Sequence, residues 1–467
     1  MKSFLGRRVE IQRLNSDYSE DRSKFIVLYG RRRVGKSLLI EKFCEGKRFF
    51  SFLAGKEKKA MQIKRFLAGL AQFAGDPLIS MVTPTTWDDA LKIFSTRTGA
   101  EKTVFVLDEF QWMCENSPEL LSDIQRWWDT SWKKDGNIFL ILCGSSVSFM
   151  TGEVLSEKSP LFGRRTRDIL LEPFPANEAA LFFPERSNTE KAEALMLLGG
   201  IPMYLDLIKE KVSLRKNLNS LAFTKGGILT NEINFILSEQ LRETGAYFRL
   251  LKMLATGPKS IAELACEMRI SAGQTLFYLH RLEMLKFIQR YIPITKDVNS
   301  KNIRYKLVDE YLRFYFYYIE PNLTRIANNA GDYLFDRITG NSWNVFCGLS
   351  FELFCEKNIA AILKKLDILD TIERVGAFWQ RKTSYKRGVQ IDLVIECSDR
   401  TTFLIECKWS KNKVNICTAD ELTTKEKLYP NPKGDTIKKV IIASHGVTEQ
   451  IAKDEAVITM TLQDFFE

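Results

Sequence analysis

The sequence predicts a multidomain α/β protein that begins with a parallel sheet built around a phosphate-binding loop. An apolar, strand-like run at residues 25–29 is followed at once by a glycine-rich turn and then by a helical pattern. Two further apolar runs, residues 103–107 and 138–143, end in polar residues, as buried parallel strands do at a binding edge. After about residue 243 the pattern changes to short helices and hairpins, which indicates additional domains.

Composition bounds the class of protein. The chain has 467 residues, of which 45% are hydrophobic and 27% charged, the balance of a globular protein. At about 100 to 200 residues for each domain, this length predicts roughly three or four domains. The apolar runs are shorter than the roughly 20 residues that cross a bilayer, and no apolar segment follows the basic N-terminus as in a secretory signal. We therefore expect a cytoplasmic protein without a membrane segment.

Reactive residue types narrow the chemistry. The nine cysteines contain no C-x-x-C pair, so buried, reduced thiols are expected rather than a disulfide framework or a zinc site. With only His280 and His445, a multi-histidine metal site or a histidine-based triad is nearly excluded. Chemistry must then come from carboxylates, Lys, Arg and a phosphate loop. The net charge of +10 favours a polyanionic partner such as DNA, although solubility also accounts for a basic surplus.

The phosphate loop is the strongest motif in the chain. Its residues are Gly30, Arg31, Arg32, Arg33, Val34, Gly35, Lys36 and Ser37, and Leu38 continues into the helix. Glycines at these positions let backbone N–H groups wrap phosphates at a helix N-terminus. Lys36 would reach the β and γ phosphates, and Ser37 would ligate Mg²⁺. We expect this loop to bind ATP with Mg²⁺.

The next two strands would complete a hydrolytic site. Asp108 would hold the Mg²⁺ shell, and Glu109 would orient or deprotonate the attacking water. Ser145 follows the third strand and would sense the γ phosphate or the water, unless it only forms a strand-end turn. Farther along, Arg164 or Arg165 would act as a finger on a bound or neighbouring nucleotide, or else belong to a solvated basic turn.

These motifs, taken in order, resemble the archaeal-type ATPases of the AAA+/STAND group of P-loop proteins. The resemblance includes an opening box at Phe4, Gly6 and Arg7, and a glycine-proline turn at residues 199–204 that is similar to the turn of the family's helical lid. It implies an ATP-hydrolysing P-loop core over residues 1–170 and a helical lid over residues 171–242.

Residues 243–310 predict a winged helix, with three short helices and strands at 287–294 and 303–308. Its DNA-facing groups would be Gln274, Tyr278, Arg281 and Lys286 on the recognition helix and Lys296, Lys301 and Arg304 on the wing. Such modules also serve as protein contacts and as ATPase lids. Residues 311–340 form an aromatic helical linker, for which packing is favoured over a base-stacking platform.

Residues 341–467 predict an α-β-β-β-α-β domain with a carboxylate site. Asp392 lies on one strand, and Glu406 and Lys408 lie on one face of the next. Two carboxylates and a lysine suit metal-assisted phosphodiester hydrolysis. Asp392 and Glu406 would bind Mg²⁺ or Mn²⁺, Lys408 would position water or stabilise charge, and Glu352 from the preceding helix would add a carboxylate.

This stretch is similar to the PD-(D/E)XK nuclease superfamily, in the form attached to archaeal-type ATPases. The resemblance implies a restriction-endonuclease-like α/β domain. Three functions remain open: an ATP-regulated DNA-processing enzyme, a STAND-type signalling switch whose last domain only binds a partner or DNA, and a DNA-binding regulator that does not cut. A homo-oligomer or a protein partner is compatible with each of them.

Overall fold

The computed structural model describes residues 4–241, 243–296, 303–328, 334–340, 342–380, 382 and 388–467. The chain divides into two compact units, Met1–Pro173 and Phe174–Glu467. Within the described ranges, no helix combines the length and apolar character that a bilayer crossing requires.

The first unit is built on a five-stranded parallel sheet in the order β2-β3-β4-β1-β5. Its strands are β1 (Lys24–Tyr29), β2 (Phe49–Leu53), β3 (Thr103–Asp108), β4 (Ile138–Gly144) and β5 (Arg167–Leu170). Its helices are α1 (Arg8–Ser19), α2 (Lys36–Cys44), α3 (Lys59–Ala74), α4 (Trp87–Thr98), α5 (Phe110–Glu115), α6 (Leu120–Trp127), α7 (Lys133–Asp135) and α8 (Val147–Phe149).

The burial of each strand explains why the central strands could be predicted from the sequence and the edge strands could not. Every residue of β1, β3 and β4 is buried, so these central strands consist of nearly continuous apolar runs, as parallel strands covered on both faces do. The edge strands carry weaker patterns: buried and exposed residues alternate along β2, and β5 has four residues with one buried. The predicted parallel sheet is confirmed, and the two edge strands are additions to it.

The second unit contains the remaining helices and two sheets. Its helices before the last sheet are α9 (Ala176–Ala179), α10 (Asn188–Leu198), α11 (Pro202–Asp206), α12 (Leu214–Ala222), α13 (Ile228–Gln240), α14 (Thr244–Ala255), α15 (Ile261–Met268), α16 (Ala272–Met284), α17 (Glu310–Phe314), α18 (Leu323–Ala327), α19 (Leu334–Thr339), α20 (Ser342–Lys357) and α21 (Ile359–Leu366). The later helices are α22 (Ile416–Glu426), α23 (Glu449–Ala452) and α24 (Gln463–Phe466).

A small antiparallel sheet, in the order β6-β8-β7, accompanies helices α14 to α16. Its strands are β6 (Lys259–Ser260), β7 (Ile288–Tyr291) and β8 (Arg304–Leu307). Ser260 begins α15 with a reciprocal capping box to Glu263, and Ser271 caps α16, as expected from their position before apolar repeats. The two-residue strand β6 was too short to be predicted. Lys301 of the predicted wing lies outside the described residues.

Tyr278, which was predicted to face DNA from the recognition helix, does not lie at the surface. Tyr278 is buried, its ring lies 4.9 Å from the ring of Tyr247, and its hydroxyl donates to Glu243 at 2.5 Å. Thr275 and Leu279 on α16 are buried as well, so Tyr278 belongs to the packing stripe of the helix. Gln274, Arg281 and Lys286 retain exposed or half-buried positions.

The last sheet is mixed, in the order β13-β12-β11-β10-β9. Its strands are β9 (Ile372–Gln380), β10 (Val389–Cys397), β11 (Thr401–Lys408), β12 (Thr436–Ala443) and β13 (Val457–Thr461). Strands β9 to β11 are antiparallel neighbours, whereas β11, β12 and β13 run parallel. The register pairs Leu393 with Ile405, which brings Asp392 beside Glu406 at the end of the ladder.

The hairpin of β7 and β8 is attached to this last sheet. The backbone N–H of Ile294 donates to the carbonyl of Ala377 on β9 at 2.9 Å, and the Ile294 side chain belongs to the apolar core of the sheet. The rings of Tyr291 and Trp379 stack at 5.8 Å. Elsewhere on the hairpin, Lys306 and Gln289 both donate to Glu356 on α20. Contacts that join residues this far apart in sequence were not predicted.

Other expectations concern packing. The aromatic stretch after residue 310 packs into the interior, apart from Tyr317, which is 42% exposed. On α20, Leu349 is 53% exposed, whereas Phe351 and Phe354 are buried. All nine cysteines are free, and seven of them are buried.

Close backbone packing at Gly200 generates a stability prediction. A Cβ atom at this position would lie 1.9 Å from the carbonyl oxygen of Phe174, whose N–H donates to the Gly200 carbonyl at 2.7 Å. We expect Gly200→Ala to lower the free energy of unfolding by about 1–3 kcal/mol, because the two segments must separate. Urea unfolding followed by tryptophan fluorescence measures the change.

Gly348→Ala is the matched control, since no atom lies within 4 Å of a Cβ built at this helical position. It should leave stability unchanged or raise it by up to about 1 kcal/mol. An unfolding midpoint for Gly200→Ala equal to that of Gly348→Ala would contradict the packing argument.

Candidate functional site

The loop between β1 and α2 has a backbone that its glycines make accessible. Gly30 has φ of 155°, and a Cβ atom there would lie 2.3 Å from the Leu171 carbonyl oxygen. Gly35, directly before α2, has φ of 93°. Both values lie in a region that residues with side chains rarely adopt. The glycine positions of the motif therefore follow from the loop's shape as well as from the space that phosphates require.

Polar side chains converge at the start of α2. Lys36 is buried, and its ammonium group donates to the carbonyls of Gly30 at 2.9 Å and Arg31 at 3.2 Å. The Ser37 hydroxyl donates to the Asp108 carboxylate at 3.0 Å. A hydroxyl and a carboxylate in contact are oxygen ligands of the kind Mg²⁺ prefers, so these residues fit that cation.

The remaining side chains of the loop differ in exposure. Arg31 and Arg33 are half-buried, Arg32 is exposed, and Val34 is buried. Leu38 is 53% exposed on the outer face of α2.

Glu109, Gln111 and Ser145 form one hydrogen-bonded group at the ends of β3 and β4. A single carboxylate oxygen of Glu109 accepts from the Ser145 hydroxyl at 2.6 Å and from the Gln111 amide. That amide also donates to the Ser145 hydroxyl at 3.1 Å. Sequence reasoning placed Glu109 and Ser145 here but gave Gln111 no role; its position two residues after Glu109 was the available signal. The group holds the Glu109 carboxylate in one orientation.

Arg7 is a second residue near the loop whose role was not predicted from the sequence. The sequence indicated only that Arg7 belongs to an opening box that resembles the family's. In the structure, the Arg7 side chain is buried and donates to the carbonyls of Val34 at 3.0 Å and Glu172 at 2.6 Å. It therefore fastens the phosphate loop to the segment after β5.

Arg164 does not point at the loop's polar group. Its guanidinium pairs with Asp129 at 2.8 Å and donates to the carbonyls of Pro160 at 2.9 Å and Phe162 at 3.1 Å. Arg165 lies 3.3 Å from Asp168. The structure thus engages both predicted finger candidates in contacts within the first unit.

A second polar group lies on the last sheet. One Asp392 oxygen on β10 accepts from the backbone N–H of Cys407 on β11 at 3.0 Å. Glu406 is almost fully buried, and its two oxygens accept from Lys408 at 2.9 Å and from Lys425 at 2.5 Å. Lys425 lies on α22 and was missed because nothing in its local sequence marks it as part of the site.

Glu352 joins the same electrostatic group. Burial and the neighbouring Asp392 carboxylate raise the pKa of Glu352 to about 7. Burial and the Glu406 carboxylate raise the pKa of Asp392 to about 6. Raised values of this kind arise where buried carboxylates repel one another, so the three predicted acidic side chains are brought together.

As arranged, these carboxylates do not fit a divalent cation. Over the part of the chain that the structure describes, no group of three or more His, Cys, Asp or Glu side chains is placed to hold a metal ion. The reason at Glu406 is direct: both oxygens are already bonded to lysine ammonium groups.

Comparisons with known proteins bear on both units. Residues 4–208 match the family described as an ATPase domain predominantly from Archaea. Residues 315–419 match a family described as archaeal and bacterial proteins of unknown function. The first match contains the phosphate loop, Asp108, Glu109 and Ser145, and the second contains Asp392 and Glu406.

Individual relatives agree with this division. An uncharacterized protein of Methanocaldococcus jannaschii is 29% identical over 411 residues, which cover 88% of each chain. An uncharacterized ATP-binding protein of the same organism is 47% identical over 45 residues, 10% of this chain and 76% of that protein. The Walker-type ATPase of Pyrococcus abyssi shares the fold, with a TM-score of 0.52 and 18% identity over 68% of this chain and 96% of its own.

The chain is therefore similar over residues 4–208 to an archaeal-type ATPase domain, and over residues 315–419 to a family of archaeal and bacterial proteins whose function is unknown.

Proposed function

We propose that this protein binds ATP with Mg²⁺ at residues 30–37, hydrolyses it, and uses the nucleotide state to control DNA binding or metal-dependent DNA cleavage by its C-terminal half. The contact of Ser37 with Asp108 at 3.0 Å, at the mouth of the loop, is the observation that carries the ATPase. A hydroxyl from the loop and a carboxylate from β3 meet there, as a nucleotide-bound Mg²⁺ requires.

The loop's own groups supply the binding. Backbone N–H groups and the N-terminus of α2 would surround the phosphates, and Lys36 would exchange its carbonyl partners for phosphate oxygens. Ser37 and Asp108 would hold Mg²⁺, which neutralises phosphate charge when bound. Glu109 would orient the attacking water or take its proton, with Ser145 and Gln111 fixing the carboxylate.

The order of helices and strands in the C-terminal half supports the proposed binding or cleavage of DNA. Helices α14 to α16 with the β7–β8 hairpin suit a winged helix. Asp392 and Glu406 lie on neighbouring antiparallel strands, as predicted for a nuclease-like domain, but cleavage by a bound cation would first require a lysine to leave Glu406. Arg304 and Lys306 already pair with Glu263 and Glu356. The DNA-facing charge would therefore come from α16, Lys286 and Lys296 more than from the strands of the wing.

A STAND-type signalling switch is the second candidate. In that case slow hydrolysis resets the protein, and the last domain only binds a partner or DNA. The two lysines bonded to Glu406 favour this alternative, because a carboxylate neutralised by lysine serves structure or binding without any cation.

Lys36→Ala tests the ATPase. We expect loss of ATP binding, measured by calorimetry, and loss of phosphate release, because Lys36 is the side chain proposed to bond to the β and γ phosphates. Lys42→Ala is the control, since Lys42 lies on the same helix but pairs with Glu45 at the surface. Wild-type binding and turnover by Lys36→Ala would refute the proposal.

Gln111→Leu tests the group around Glu109. Removing the amide frees the Glu109 carboxylate to rotate, so we expect ATP turnover to fall about 10–100-fold, while ATP affinity stays near that of wild type. Steady-state phosphate release and calorimetry separate the two effects. Gln72→Leu, at an exposed position of α3, should match wild type. An equal loss of affinity and turnover in Gln111→Leu would instead indicate a disturbed loop.

Asp392→Ala tests cleavage. Wild-type protein would be incubated with linear, supercoiled and single-stranded DNA, with Mg²⁺ or Mn²⁺, in the presence and absence of ATP. We expect cleavage that Asp392→Ala abolishes and that Asp420→Ala, at an exposed position of α22, retains. Lys36-dependent ATPase activity without cleavage under any of these conditions would decide for the signalling switch.

A further inference from the structure

Cys143 lies directly beside the carboxylate that is proposed to hold Mg²⁺. In the register of β3 and β4, Leu107 pairs with Leu142, so Asp108 and Cys143, the next residue of each strand, are neighbours as well. Neighbouring residues of paired strands direct their side chains to the same face of a sheet. That face packs against α2, since Cys143 belongs to the same apolar core as Leu39. The Cys143 thiol is fully buried there, next to Asp108.

The Asp108 carboxylate is held by donors of different origin. One of its oxygens accepts from the backbone N–H of Glu109 at 2.8 Å, and the other accepts from the Ser37 hydroxyl at 3.0 Å. The Cys143 thiol is hydrogen-bonded to the same carboxylate. A cysteine thiol is ordinarily protonated at neutral pH, and burial and the Asp108 charge raise the pKa of this thiol further, so the S–H group is the donor.

Among these donors, Cys143 is the one that belongs to a neighbouring strand of the sheet. Ser37 lies in the first turn of α2, on the segment that contacts the nucleotide in the proposed function, and Glu109 is the residue that follows Asp108. Every residue of β4 is buried, so the thiol ties the carboxylate to a strand whose position is fixed by packing on both faces. Because a thiol is only a weak donor, it orients the carboxylate without neutralising the charge that attracts a cation.

We propose that Cys143 is a positioning residue for Mg²⁺, and that its thiol holds the Asp108 carboxylate in the orientation that the cation requires. Mg²⁺ demands a near-ideal octahedral arrangement of its ligands, so a carboxylate that rotates freely binds it less well. Partners that orient a metal ligand typically change metal affinity about 10–100-fold, and a weak thiol donor belongs at the lower end of that range. The inference deepens the ATPase function proposed above and depends on it.

The test compares nucleotide binding with and without Mg²⁺, because only the magnesium-dependent part involves Asp108. Calorimetry measures the affinity of the full-length protein for a non-hydrolysable ATP analogue in EDTA and in Mg²⁺. Cys143→Ala should bind the analogue as wild type does in EDTA and about tenfold more weakly in Mg²⁺. In steady-state assays, the Mg²⁺ concentration for half-maximal phosphate release should rise about tenfold, while turnover at saturating Mg²⁺ stays within about threefold of wild type.

Three further variants separate orientation from packing. Cys143→Val fills the space of the thiol without a donor and should behave as Cys143→Ala does, which also covers the case in which the alanine variant does not fold. Cys143→Ser keeps a donor at the same position and should bind the analogue in Mg²⁺ within about threefold of wild type. Cys44→Ala is the matched control, since Cys44 is a 1% exposed thiol of the same apolar core, and its loss should lower stability without altering the Mg²⁺ dependence.

The outcomes distinguish this inference from the ATPase proposal. Wild-type Mg²⁺ dependence in both Cys143→Ala and Cys143→Val overturns the role of the thiol while the ATPase function stands. An equal weakening in Cys143→Ser or in Cys44→Ala also overturns it, because the effect would then come from packing and not from the donor. If wild-type protein neither binds the analogue nor hydrolyses ATP, the ATPase function fails, and the inference fails with it.

Discussion

The contact between Ser37 and Asp108 is the constraint around which the first unit is organised. Ser37 lies in α2, which follows β1, and Asp108 is the last residue of β3; the strand β4 separates β1 from β3 in the sheet. They meet only because parallel strands deliver their carboxyl ends to one edge, where Ser145 follows β4. The burial of all three strands, the positive φ of the loop glycines and the Arg7 contacts serve to keep that edge in register.

Each of the two polar groups contains a buried charged side chain, a lysine in the phosphate loop and a carboxylate on the last sheet. In the phosphate loop, a buried lysine bonds to backbone carbonyls, weak partners that an anionic phosphate outcompetes. On the last sheet, the buried Glu406 carboxylate bonds to two lysine ammonium groups, which are charged and therefore stronger partners. Neutral groups thus hold the buried charge in the first arrangement, and charged groups hold it in the second.

Sequence reasoning succeeded where the determinants are local. The loop from Gly30 to Ser37, Asp108 at the end of a buried strand, and Asp392 beside Glu406 all follow from motifs whose spacing is set within one or two elements. It failed where a side chain acts across elements. Lys425 reaches Glu406 from a helix that carries no motif, and Tyr278 was assigned to the wrong face because its aromatic ring and hydroxyl suit either environment. Arg304 was predicted to face DNA from the wing, but in the structure it pairs with Glu263, which is distant in sequence.

The β7–β8 hairpin and the last sheet pack against each other, so this half of the chain cannot readily be divided between them. Ile294 fills the apolar core beneath β9, and Glu356 on α20 takes two polar side chains from the hairpin. Separating the two sheets into different fragments would leave a cavity in the core of the last sheet and would expose the apolar side chains of the hairpin. In evolution, an insertion or a domain exchange at this junction requires simultaneous substitutions in the hairpin and in the last sheet. The hairpin and the last sheet should therefore be inherited, expressed and crystallised as one piece.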